Sequence, residues 1–89
     1  MTRIRISEAF VASTAKIYSD RVFDAVYHSL ELIGEFPEIG SLDLPLAIKQ
    51  RFGEDCRKVV VDPFDILYRY DQEKDVVYIA ELIHQRNVY

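Results

Sequence analysis

Cysteine is nearly missing from this chain of 89 residues. Cys56 is the only one, which excludes an internal disulfide and suits a reducing cytosol. The default for that side chain is a small, inert, largely buried one. Glycine is almost as scarce, and Gly34, Gly40 and Gly53 stand too far apart to form a phosphate-cradling loop. No apolar run approaches the length of a membrane span, and the opening MTRIRIS lacks the apolar core of a signal peptide. A soluble, cytoplasmic protein is expected. Metal-ligand spacings such as CxxC or HExxH are lacking around Cys56, His28 and His84, so no metal and no cofactor is expected. No serine stands in a GxSxG elbow. Without repeats, low-complexity tracts or a linker, the chain reads as one domain over residues 1–89.

An excess of basic residues is lacking too. Eleven Lys and Arg face fifteen Asp and Glu, a net charge of −4. That excludes broad, sequence-blind nucleic-acid binding, which needs clustered cations to displace counterions. The charge is not segregated along the chain, because Met1–Ser41 and Leu42–Tyr89 each sum to −2. Neither half is a basic arm or an acidic tail.

What the chain does have is a C-terminal third rich in Val, Ile, Leu and Tyr, residues that suit a pleated, half-buried surface. Three apolar runs are visible: Lys58–Asp62, Phe64–Tyr70 and Val76–Ile83. Asp62-Pro63 parts the first two, since proline fixes φ and lacks an N–H. Gln72-Glu73-Lys74-Asp75 parts the second from the third, at hairpin-loop length. This pattern predicts an antiparallel three-stranded meander.

Upstream, Thr2–Ser7 alternates Ile4 and Ile6 with Arg3 and Arg5, the period of a strand with one buried face. Ser7 is placed to cap a first helix over Glu8–Tyr18. Ser19 or Asp20 opens a second, Arg21–Phe36, whose stripe of Val22, Phe23, Val26, Leu30 and Ile33 is amphipathic. Its other face carries His28, expected to be solvated. Gly34 and Pro37 stop it near Glu35. Asp43 is then expected to cap a short third helix, Leu44–Phe52, with Gly53 in a left-handed position after it. The order is strand, two helices, short helix and three strands, and two helices in sequence before a meander suit a two-layer α+β fold with those helices on one face. The first strand is expected beside the last one. Tyr68 and Tyr70 should share one strand face, as should Tyr78 and Leu82, more as core or sheet surface than as a base-stacking platform.

The side chains that could carry chemistry gather towards the C-terminus: Arg57 at the start of one strand, Arg69 within the next, and His84 with Arg86 at the end of the last. Arginines bind phosphate or an acidic partner, and a histidine among them can exchange protons near neutral pH. The plainer reading makes them surface charges paired with Asp62, Asp65 and Glu81.

FPEIGS after an amphipathic helix resembles the P-E-x-G loop of the RelE/ParE superfamily of bacterial toxins. CRKVVVDPFDILYRYDQEKDVVYIAELIHQR resembles that family's C-terminal half: Arg57 opens a strand, Phe64 to Tyr68 form an aromatic-to-tyrosine strand, and Ile83-His84-Gln85-Arg86 ends the last. The resemblance covers nearly the whole chain. It implies the toxin of a type II toxin–antitoxin (plasmid stabilisation) module, neutralised by a cognate antitoxin on the helical hairpin and the sheet; a homodimer would cover the same surface.

A ParE-like member would inhibit DNA gyrase without being an enzyme, and FPEIGS with the H-x-R ending looks ParE-like. A RelE- or YoeB-like member would cleave mRNA in the ribosome, with His84 as acid or base and Arg57 and Arg86 on phosphate. A third reading is a non-toxic relative that only binds a partner. For partner or target binding the residues expected are Lys49, Arg51, Arg69 and Tyr89. Two positions depart from the cleaving relatives: Asp65 stands about where YoeB-like enzymes have arginine, and Gln85 where tyrosine follows the histidine. The first helix is several residues shorter than is usual in ParE.

Overall fold

A computed structural model describes residues 2–87. The first strand, β1 (Arg3–Ile6), is followed by helices α1 (Glu8–Thr14), α2 (Asp20–Glu35) and α3 (Leu46–Phe52). Strands β2 (Arg57–Val61), β3 (Phe64–Asp71) and β4 (Val76–His84) then form the meander, and a 3-10 turn spans Gln85–Asn87. The sheet runs β1-β4-β3-β2. β1 lies beside the last strand, as expected, and is parallel to it, with Ile4 opposite Val77. The two meander pairs are antiparallel.

Local chemistry accounts for most boundaries. Ser7 Oγ accepts from Phe10 N at 3.0 Å and donates to the Ala80 carbonyl at 2.7 Å, so one hydroxyl caps α1 and ties it to β4. Ser19 caps α2 through Val22 N at 3.3 Å. Between β2 and β3 the Asp62–Pro63 peptide is cis, at the centre of a two-residue turn. Gln72–Asp75 closes the other hairpin, with Lys74 N bonded to Asp71 Oδ1 at 3.1 Å.

Three expectations need correction. The first helix stops at Thr14 and not at Tyr18, because Lys16 N and Ile17 N bond the carbonyls of Ser13 and Thr14, three residues back, which tightens the chain out of α geometry. Asp43 caps nothing: the third helix begins at Leu46 behind Pro45, which has no side-chain cap, while Asp43 N is taken by Ser41 Oγ. Gly53 does close that helix at φ +110°, a region that favours glycine, although its ψ of 155° lies outside the left-handed helical well. Tyr78 and Leu82 do not share a face. Leu67 pairs with Glu81 but Tyr68 with Ile79, so Ala80 is an extra residue that reverses the alternation within β4.

The sheet divides the core in two. On one face Phe10, Val26, Leu30 and Ile33 from α1 and α2 pack on Val61, Ile66, Tyr68, Val77, Ile79 and Leu82. On the other, α3 and the segment before it cover Cys56, Leu67 and Ile83 with Leu44, Ile48 and Phe52. The two helices of the hairpin therefore share one face, as expected, and the short third helix lies on the far side. Burying a Leu- or Phe-sized side chain contributes roughly 1.5–3 kcal/mol, so the first cluster dominates and the second seats α3.

Candidate functional site

The loop after α2 is held from the sheet. Tyr68, fully buried, donates its hydroxyl to the Pro37 carbonyl at 2.8 Å and accepts from Gly40 N at 2.8 Å. Arg57, opposite Tyr68 in the β2–β3 ladder, donates Nη1 to the carbonyls of Glu38 and Gly40 at 3.0 and 2.9 Å. Each polar group of the P-E-x-G loop that these bonds reach is met by one of two neighbouring side chains. Gly40 must be glycine here, because a Cβ would stand 2.7 Å from the Tyr68 ring and hydroxyl and 2.9 Å from Arg57 Cβ. Burial pushes the Tyr68 phenol above its ordinary pKa, which keeps it a donor. Arg57 thus acts as a structural tie of this loop.

His84 and Arg86 lie at the other end of the sheet. His84 pairs with Phe64, and their rings meet edge to face with centroids 5.4 Å apart. From Phe64 to Tyr68, the partner of Arg57, is roughly 13 Å of strand, and β2 and β4 are two strand spacings or about 10 Å apart. The three residues considered for catalysis are therefore not assembled: His84 and Arg86 adjoin, and Arg57 is remote. The histidine is also committed. Arg86 N donates to His84 Nδ1 at 3.1 Å, so the lone pair on that nitrogen is engaged and the neutral ring carries its proton on Nε2.

Of the remaining candidates, Arg69, Arg51 and Lys49 are spread over the far face. Arg69 forms a two-pronged pair with Asp55 at 2.9 and 3.1 Å. The hydrogen bond with Arg69 holds the Asp55 carboxyl below its usual pKa, and the bond with Asp55 raises Arg69 further. Arg51 lies 3.8 Å from Glu81 and over the Phe52 ring at 4.7 Å. Glu81 also accepts from Ser13 at 3.4 Å, so it links α1 to α3. Lys49 is half-buried on α3. Tyr89 lies outside the described residues. Of the pairings expected for surface charges, Glu81 takes Arg51, whereas Asp62 and Asp65 both accept from Gln85. His28 is solvated beside Glu31, and Cys56 is fully buried, with burial raising its thiol pKa. A cleft of about 450 Å³ between α3 and the end of β4 is lined by Arg51, Glu81, Ile83 and His84. Among the described residues no group of His, Cys, Asp or Glu is placed to hold a metal ion, and no helix is long and apolar enough to cross a membrane.

A model of the family described as ParE toxin of type II toxin-antitoxin system, parDE, matches residues 4–89. The chain belongs to the ParE toxin family. Among solved structures, the fold is similar to the intact Escherichia coli RelBE toxin-antitoxin complex, at 21% identity and a TM-score of 0.68, over 92% of this chain and 94% of that one. It is also similar to the isolated E. coli RelE toxin, at 18% identity and a TM-score of 0.71, covering 94% and 84%. No curated protein matches significantly. The RelE/ParE fold of this family member is thereby shown, and the P-E-x-G loop gains its physical explanation in Tyr68 and Arg57. The Ala80 bulge and the Gln85 bonds were missed from sequence; an Asp at position 65, inside an apolar strand, was the one available signal.

Proposed function

We propose that this ParE-family toxin acts by binding DNA gyrase and blocking replication, as the toxin of a plasmid-stabilising module. In this reading it resides in the cytoplasm, where a cognate antitoxin neutralises it along the helical hairpin and the sheet, and a homodimer can shield that surface in the antitoxin's absence. The observation that carries the reading is the separation of Arg57 from His84. A phosphodiester-cleaving site needs phosphate-binding cations and a proton-transfer group around one scissile bond. Here the cation at residue 57 is spent on loop carbonyls and the imidazole is engaged through Nδ1. The family model and the structural likeness to a toxin–antitoxin complex support the module itself.

A second reading, a ribosome-dependent endoribonuclease, is favoured by the cleft that places Arg51 near His84 and by the likeness to RelE. Induced expression with separate readouts of DNA damage and translation decides between them. The gyrase reading expects filamentation and a DNA-damage response while bulk translation continues. Arrested translation with intact DNA metabolism would overturn it.

A further inference from the structure

The net charge, evenly divided along the sequence, is concentrated in space. Three depressions of about 580, 370 and 340 Å³ adjoin at the end of the sheet that carries the β3–β4 turn, and Tyr70 and Gln72 line all three. Glu35, Glu38, Glu54, Asp55, Asp71 and Glu73 line this continuous groove, against Arg57 and Arg69. Six carboxylates against two guanidiniums leave −4, the formal charge of the whole chain. Everything outside the groove is balanced. Both arginines are already engaged, one with loop carbonyls and one with Asp55. Among the described residues, Glu35, Glu38, Glu54 and Glu73 are exposed and stand in no ion pair. Gathering like charges costs stability through self-repulsion, and nothing in the packing of this fold requires it.

The same groove exposes apolar side chains. Phe36, Ile39 and Leu42 are 57%, 51% and 44% exposed, and Tyr78 stands at the other end of the groove. Phe36 and Ile39 cannot fold inwards, because the loop that carries them is tied down by Tyr68 and Arg57. A rigid backbone presenting apolar anchors between unpaired carboxylates is pre-organised to bind.

We propose that this groove docks a segment of a partner protein in which Lys or Arg alternates with apolar side chains. The charge selects the occupant. It attracts a basic segment and repels the phosphates of a nucleic acid, while Phe36, Ile39 and Leu42 supply the buried anchors that such a contact needs. The surface lies far from His84, so the proposal holds whichever cellular target the toxin attacks.

Titration of the isotope-labelled full chain with a short synthetic peptide of alternating Arg and Leu, followed by amide resonances, tests this. The expected result is saturable shifts at Ile39, Leu42, Gln72 and Tyr78, with none from an alternating Glu and Leu peptide or a single-stranded oligoribonucleotide. Glu54→Lys with Glu73→Lys should weaken binding by about tenfold at low salt. Phe36→Ser, which alters no charge, should weaken it as well, so the test survives if the charge variant folds poorly. Shifts scattered over the surface, shifts caused by the oligoribonucleotide, or unchanged affinity in folded variants would overturn the proposal.

Discussion

Gln85 Nε2 lies 3.2 Å from Oδ1 of Asp65 and 3.0 Å from Oδ1 of Asp62. Asp65 is almost completely buried. The two positions that depart from the cleaving relatives are thus bonded to each other, and Gln85 N adds a bond to the Pro63 carbonyl at 2.9 Å. Together these bonds form a clasp between the β2–β3 turn and the end of β4. Gln85→Ala removes both side-chain bonds and should cost about 1 kcal/mol, or a fall of about 4–8 °C in Tm. Thermal denaturation followed by circular dichroism measures it; an unchanged Tm would mean that the clasp contributes nothing.

Gly40 and Tyr68 form a second coupled pair. Gly40→Ala forces a Cβ into the Tyr68 ring, and overpacking of this kind costs about 1–3 kcal/mol. Tyr68→Phe loses the bonds to Pro37 and Gly40, at about 1–3 kcal/mol. Since both changes loosen one contact, the double variant should lose less than the sum. Strict additivity in urea melts would show that the two act independently.

Acid should find a specific weak point at Asp75. Thr2 and Tyr70 donate to its Oδ1 at 2.7 and 2.9 Å and hold its carboxyl below the ordinary value. The folded chain therefore releases this proton at lower pH than the unfolded one. Its contribution to stability is complete above about pH 4 and is lost as pH falls through the lower folded value. Thr2→Ala with Tyr70→Phe should lower the urea midpoint at neutral pH and flatten the acid limb, so that the two profiles converge at low pH. Asp55, depressed by Arg69, has the same sign and remains in the variant.

Cys56 should be chemically silent in the folded protein. Its side chain is fully buried and its thiol is pushed up by burial, so little thiolate is present near neutral pH. Labelling with an aromatic disulfide reagent should proceed only as fast as the protein opens, and rise steeply in denaturant. Rapid native labelling would contradict the packing of α3.

His84→Ala separates the two functional readings. Under gyrase binding, growth arrest and the DNA-damage response should persist within about twofold, whereas a general acid or base normally supplies about 10²–10⁴-fold. Loss of toxicity in a variant that still folds would return His84 to the chemistry.

Much of this architecture was legible in the sequence because its signals are local. Pro63 and the Gln72–Asp75 run mark the turns, Ser7 and Ser19 mark the helix starts, and the Ile4–Ile6 alternation marks β1. The P-E-x-G loop was legible as a family feature but its cause was not, since Tyr68 and Arg57 reach it from 28 and 17 residues away. The misreadings have the same origin. Asp43 resembles a cap in isolation, and only the seating of α3 on Leu67 and Ile83 moves the helix start to Leu46. Ala80 carries no mark of a bulge, so the reversal that sends Tyr78 and Leu82 to opposite faces was invisible. The acidic groove drew its carboxylates from both halves of the chain, where a linear count finds balance.

The parallel pairing of β1 with β4 sets a schedule for biosynthesis. Thr2 meets Asp75, and Ser7 meets Ala80, each across 73 residues. During translation β1 emerges 73 residues before the stretch of β4 that it pairs with. Contacts of such separation form only after the intervening chain is available. A nascent chain that has not yet delivered Val76–Ile79 cannot close the sheet. For a toxin, the fold therefore delays competence until β4 has been made, which gives an inhibitor made alongside it time to arrive.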